Sequence, residues 1–316
     1  MTYGVSHLVS AARKAVHAMR RRCALLQLRD PRQQCKLFDI LVLPILSYGS
    51  EVWATDPKTG AAAEVLHIQF LRRLLGVRDN IANDIVLAEL GRYPLQIHFW
   101  QQIMRYHNRF LKLSIVTHLS KTALIAGSQF DSDVAAWRPQ FRAFLETQPG
   151  QLRVFSDLDI SAIIDREKAR HRAAVCASEL SSVIFHRTLH PKYEYAQHLS
   201  EVRCLSNRRL ISRFRNGCHG LHVDTGRFTK GDQKVEREQR VCQVCQSMAV
   251  EDEQHFLFDC PAYGHLRISH AELFHNNPCT VTSIVNSSNL NLFGRHLRLC
   301  FAHRKSLLPA DQTVLA

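Results

Sequence analysis

Along most of the chain apolar residues recur at three- and four-residue steps, the period of a helix with one buried face. Leu8, Ala12, Ala15, Met19, Cys23 and Leu26 form the first stripe, flanked by Arg13, Lys14, Arg20, Arg21 and Arg22. Asp30-Pro31-Arg32-Gln33 then predicts a helix start. Asp30 can cap, Pro31 suits the first helical position, and Gln33 can reach back. This helix is expected to bury Phe38, Leu41, Val42 and Ile45, to kink at Pro44 and to end at Ser47-Tyr48-Gly49. A third helix is expected from Ala61 to Leu75, with Gly76 placed to end it. Asn83-Asp84 opens a short helix that stops at Gly91. Pro94 opens a long one that carries Phe99, Ile103, Tyr106, Phe110 and Leu113 on one face, a bundle-packing stripe.

From Ser120 to Gly150 the period fades among Gly127, Ser128, Pro139, Pro149 and Gly150. It resumes from about Ile160 to Phe185, and again near Gln197 to Phe214 with Leu199, Val202, Leu205, Leu210 and Phe214 inward. Shorter helices are expected near Pro261 to His275 and Leu292 to Leu307. The expected fold is mainly α, a multi-lobed helical bundle with a small C-terminal knuckle on Cys242, Cys245, His255 and Cys260, whose spacing suits zinc. Its expected divisions are a helical region at 1–119, a connector at 120–150, a basic helical region at 151–240, the knuckle at 241–263 and a helical tail at 264–316.

The longest apolar stretch, Leu37 to Leu46, is broken by Asp39 and Pro44 and is too short to span a bilayer. The chain opens without a secretory signal, and ten cysteines in 316 residues are too few for a disulfide scaffold. An intracellular, reducing setting, nuclear or cytoplasmic and away from membranes, is therefore expected. The net charge of +13 and a pI near 9.5 favour polyanionic partners.

Cys242, Cys245, His255 and Cys260 read Cys-x2-Cys-x9-His-x4-Cys. Three thiols and an imidazole at these gaps suit one tetrahedral structural Zn2+. The first pair makes a tight ligand-bearing turn, and a short hairpin can form between the pairs. Four protein ligands close the coordination sphere, which a catalytic zinc would leave open. No His-x-Glu pair precedes the first Cys pair at a distance usable by a zinc deaminase.

A basic run lies upstream of these ligands. Arg208, Arg209, Arg213, Arg215, Arg227, Lys230, Arg237 and Arg240 are the candidate nucleic-acid contacts, with Arg203 and Lys234 beside them. Arg209 and Arg213, four apart, share a helix face that could track phosphates. His219, His222, Phe228 and Tyr263 could add base stacking.

Phe38-Asp-Ile-Leu-Val-Leu-Pro-Ile-Leu-Ser-Tyr-Gly-Ser-Glu-Val-Trp53 resembles a segment of LINE-type, non-LTR retrotransposon reverse transcriptases that lies downstream of their catalytic palm. Phe70-Leu-Arg-Arg-Leu-Leu-Gly-Val77 and Ala88-Glu-Leu-Gly-Arg-Tyr-Pro-Leu95 resemble the segments that follow it. Arg213-Phe-Arg-Asn-Gly-Cys-His-Gly-Leu-His-Val223, with the Cys/Cys/His/Cys set, is similar to that family's C-terminal knuckle region. The resemblance implies the end of the thumb and the helical region after it, up to about Leu119. It also implies a grip on template RNA, nascent DNA or target DNA, and a palm and fingers domain upstream. The aromatic-Ala-Asp-Asp motif of the palm is missing. Asp131-x-Asp133 and Asp157-x-Asp159 lie in loop-like sequence. Two-metal phosphoryl transfer needs such carboxylates, so the chain is not expected to be an enzyme on its own. An alternative is a protein–protein docking module of a retroelement complex. Another is a non-functional truncated element copy.

Overall fold

The computed structural model describes residues 2–54, 57–112, 156–227, 235–245, 247–275 and 278–308. These are mainly helical. Among them there is no strand, only the isolated antiparallel bridges Leu90–Tyr195 and Val241–Val250. The chain divides into two compact units. The expected connector at 120–150, together with Lys230 and Phe228, lies outside the described residues.

Unit 1 draws on the described parts of Met1–Leu28, Gln33–Phe70 and Tyr93–Val175. Helix α1 (Thr2–Leu25) buries Val5, Val9, Ala12, Val16, Met19 and Cys23. Leu8 and Ala15 of the expected stripe are only half-buried, flanking this valine-rich row. Leu26 is exposed because the helix has already ended. Gln27 takes a left-handed φ of 54°, carrying the chain off the stripe.

Helix α2 (Pro31–Leu41) begins where the sequence places it, and Asp30 Oδ1 accepts the Arg32 N–H at 2.9 Å. The expected kink at Pro44 is a full break. A separate α3 (Leu43–Leu46) starts there, with Pro44 in its first turn, where a missing N–H costs nothing. Leu41, next to the break, is exposed rather than buried. Gly49, at φ 65°, turns the chain into α4 (Ser50–Trp53). The Trp53 indole N–H closes this turn by donating to the Tyr48 carbonyl at 2.9 Å, and its ring meets Phe99 edge-on at 5.0 Å.

Helix α5 (Pro57–Leu75) opens four residues before the expected start at Ala61. Its Phe70 stacks on Phe38 at 4.7 Å. Glu64 accepts the Leu95 N–H at 2.6 Å and so caps α7 (Leu95–Lys112), which follows the short α6 (Asn83–Glu89). On α7 Phe99, Ile103 and Met104 are buried, whereas Tyr106 is half-buried. Helix α8 (Asp157–Cys176) adds Ile160, Ile163 and Ile164 against Ile97 and Met104. Asp157 and Asp159, read as a loop, form its first turn. Asp159 accepts the Ser156 N–H at 2.9 Å while Ser156 Oγ accepts the Asp159 N–H at 3.1 Å, a reciprocal cap.

Unit 2 comprises Arg29–Arg32, Leu71–Arg92 and the described parts of Cys176–Ala316. Its helices are α6, α9 (Ser181–Leu189), α10 (His198–Glu201), α11 (Leu205–Arg215), α12 (His222–Thr225), α13 (Gly264–Ser269), α14 (Val281–Val285) and α15 (Leu290–Leu307). Two helices expected to be continuous are interrupted. One breaks between Cys176 and Ser181. The other breaks after Glu201, where Arg208 points its guanidinium at the Leu199 and Val202 carbonyls, 3.5 Å from each. Leu199, Val202 and Phe214 are buried as expected, but Ile211 takes the place given to Leu205 and Leu210.

Helices α11 and α15 pack closely, and Phe214 meets Phe293 edge-on at 5.9 Å. At the crossing Gly294 lies over Asn207, and a Cβ on Gly294 would come 2.8 Å from the Asn207 Cβ. Only glycine allows this approach. The same core includes Cys242, Cys260, Phe256, Leu257 and Tyr263. The region expected as a separate knuckle and the expected tail thus share one hydrophobic core. Among the described residues no helix is long and apolar enough to cross a membrane.

Candidate metal centre and basic surface

Short-range structure converges the four sequence-predicted ligands. The bridge between Val241 and Val250 makes the expected hairpin between the ligand pairs, and Cys242 N–H donates to Ala249 O at 2.7 Å. Met248, in the loop, takes a left-handed φ of 57°. His255 opens a π-helical turn (His255–Asp259), in which the Cys260 N–H reaches back to His255 O at 2.7 Å. This wider turn brings the ligand at position 260 back beside the one at 255. Asp252 Oδ1 accepts the His255 N–H at 3.0 Å, and Arg267 donates to Cys260 O at 2.8 Å.

The donor atoms of Cys242, Cys245, His255 and Cys260 all lie within 4.8 Å of one another. A zinc with bonds of about 2.0–2.3 Å holds its ligands about 3.3–3.8 Å apart. Cys245 Sγ and His255 Nε2 already stand at 3.3 Å. The donor set and its spacing therefore fit a tetrahedral Zn2+, with His255 binding through Nε2. Burial pushes the Cys260 thiol up to about 12 and raises Cys242. Burial also raises Cys245, but hydrogen bonds with Ser247, Cys242 and His255 outweigh it and bring this thiol to about 6. A bound cation reverses the cost of burial for all three thiols, and binding releases their protons.

The centre is anchored by charges that the sequence reading missed. Arg304 of α15 donates from Nε and Nη2 to the two oxygens of Glu251, at 2.8 Å each. Glu251 follows the bridge residue Val250 and also accepts the His222 N–H at 2.7 Å. His219 pairs with Glu253 at 2.7 Å. All four ionisable groups are buried. A second buried group gathers on Glu89. Arg215 Nε lies 2.7 Å from it, His186 Nε2 2.8 Å and His198 Nδ1 3.6 Å. Burial alone would raise the Glu89 carboxyl, yet Arg215 and the imidazoles of His186 and His198 hold it well below the usual range. Burial brings His198 down to about 3.

The candidate phosphate contacts separate into two sets. Arg208, Arg215 and Arg240 are buried and bonded within the protein, so they leave the candidate list. Arg208 donates to the Arg29, Leu199 and Val202 carbonyls, Arg215 pairs with Glu89, and Arg240 donates to Val223 O and Val235 O. Arg209, Arg213 and Arg237 are exposed and Arg227 is half-buried. Arg213 Nε donates to Gly76 O at 2.8 Å, and Arg237 meets Asp252 at 3.3 Å. Of the stacking candidates, Tyr263 and His219 are buried and His222 is half-buried. The exposed Arg295, Arg298 and Lys305 of α15 were missed; the acid-free sequence of that helix was the available signal.

The site is thus a Cys3His group at metal-binding distance, set in an α-helical core with basic helices around it. Part of the chain is similar to an uncharacterized transposon-derived protein of Caenorhabditis elegans, with 34% identity over 73 residues. That match covers 21% of this chain and 26% of the worm protein. No protein-family model matches the chain, and no solved structure matches it.

Proposed function

We propose that this chain is a zinc-stabilised nucleic-acid-binding module, the part of a retroelement reverse transcriptase that follows the catalytic palm. Charge segregation on the helices carries the reading. The packed helices α11 and α15 contain no Asp or Glu, and Arg209, Arg213, Arg295, Arg298 and Lys305 are exposed on them. None of the five forms an ion pair with a described residue. In unit 1, α1 likewise lacks acids and exposes Arg13, Lys14, Arg20, Arg21 and Arg22. Unpaired cations on rigid helices suit a phosphate backbone, whose condensed counterions they release. The transposon-derived relative supports the origin. When bound, the zinc cross-links the hairpin to the π-helical turn, while the chain's own arginines do the gripping. The sequence has no adjacent Asp-Asp pair, so the partner domain, and not this chain, would polymerise.

Fluorescence anisotropy with labelled single-stranded RNA and DNA over a range of salt tests this. Affinity should fall steeply with salt. In the Arg209→Ala/Arg298→Ala variant the slope should flatten by about one unit per lost phosphate contact. No binding, or an unaltered slope, overturns the proposal. Unit 1 exposes Leu25, Leu26, Ile40, Leu41 and Tyr48, which favours a second reading of that unit as a surface for another protein. Leu26→Ser with Ile40→Ser should then abolish association with a reverse-transcriptase core and spare nucleic-acid affinity.

A further inference from the structure

We infer that unit 2 receives a single unstacked nucleobase in the cavity beside the Glu89 charge cluster, a proposal that rests on the nucleic-acid reading above. The cavity measures about 350 Å3 and is open to solvent on one side. That is the low end of the range for small-molecule sites. Leu189, Val285 and Leu290 give it apolar lining, and Tyr195 adds an aromatic ring held under the Arg32 guanidinium at 4.5 Å.

Its polar groups decide what fits. His190 and His198 both line it, and burial keeps both imidazoles neutral. Arg215 reaches it too, but its charge is met by Glu89 at 2.7 Å. Lys192 and Glu194, both exposed at the rim, bring one charge of each sign. A site of this balance has no surplus charge for a phosphate or a divalent cation. Its remaining polar groups, the amides of Gln197 and Asn286 and the two imidazoles, carry no net charge, and the Gln197 amide nitrogen is already bonded to Glu201 at 2.6 Å. The complementary ligand is neutral and planar, apolar on its faces and hydrogen-bonding at its edge. A base splayed from a single strand has this chemistry.

The floor is also fixed in advance. Asn286 donates to Leu189 O at 2.8 Å and accepts from Arg215 Nη1 at 3.2 Å. His198 Nε2 meets Ser212 Oγ at 2.8 Å, and His190 Nε2 meets Glu194 O at 2.8 Å. His198 Nδ1, 3.6 Å from Glu89, is too far for a hydrogen bond and has no hydrogen-bond partner. Walls held in place before binding lower its cost.

The experiment combines short single-stranded RNA and DNA carrying 2-aminopurine with free adenosine, guanosine, cytidine and uridine. Gln197→Trp sets an indole at the exposed rim, and thermal melting confirms that this variant folds. Binding of the strand should change the 2-aminopurine fluorescence. The variant should remove that change and weaken strand binding by about 5- to 150-fold, the equivalent of one stacked base. At least one nucleoside should shift the NMR signals of His190, Tyr195 and Asn286 in the wild type. Normal strand binding with no fluorescence change and no response to Gln197→Trp overturns the base pocket while leaving the nucleic-acid reading intact. Nucleoside shifts without strand binding support the pocket and overturn the strand reading. Absence of both overturns both.

Discussion

Glu89 draws its partners from far along the chain, since Arg215 lies 126 residues away and His186 lies 97. Removing one side of such a pair strands the other charge in the core. Glu89→Gln should cost about 3–5 kcal/mol in denaturant unfolding. The same cluster sets a pH dependence. His198 stays neutral down to about 3 when folded, against 6.5 for a free imidazole, and the Glu89 carboxyl is also depressed. Below about pH 6.5 the unfolded chain takes up protons that the folded chain refuses, so stability falls as pH falls. Melting temperature should therefore decline from pH 6.5 downwards, and further as pH drops through the range of an unperturbed carboxylate. Acid also strips zinc from thiolates, so the measurement belongs on a Cys245→Ser background. A flat profile there would show that the cluster does not govern the response. At this scale the sequence hid most. Arg208, Arg215 and Arg240 look like any surface arginine until a distant carboxylate or carbonyl is brought to them.

Between elements, the contact of α11 with α15 depends on one missing side chain. Gly294→Ala would place a methyl 2.8 Å from the Asn207 Cβ and 3.3 Å from Ile211 Cδ1. The gain in helix propensity is up to about 1 kcal/mol. Overpacking costs about 1–3 kcal/mol and should win, because the neighbours are a Cβ and a fully buried isoleucine. A lower melting temperature is expected, and an unchanged or higher one would mean that the helices slide apart freely. Element ends were largely legible, because Pro31, Gly76 and Gly91 act locally. Gly76 and Gly91 both sit at positive φ. The break after Glu201 was not legible, since it is filled by Arg208, whose third partner, Arg29, lies 179 residues away. Spacing gave the Cys242, Cys245, His255 and Cys260 cluster but not its setting, which depends on Phe256 packing against Tyr263 at 4.9 Å and Phe301 at 4.9 Å.

That setting changes what metal loss means for the molecule. A knuckle on a tether would loosen only around its ligands. Here Cys242 and Cys260 lie in one core with Phe214, Phe293 and Leu297. Cys245→Ser, or a chelator, should lower the melting temperature. It should also strip hydrogen-exchange protection from α11 and α15 as well as from the hairpin. Loss confined to residues 241–263 would contradict the shared core.

Arg304 is made 53 residues after Glu251, the carboxylate it secures. At about 5–20 residues per second, synthesis leaves an interval of about 3–11 s between them. During it the hairpin and its thiols exist without the helix that fastens them. Premature termination before α15 would give a chain that carries all four metal ligands yet has lost their clasp. In such a product the cysteines would be open to oxidation or to the wrong metal.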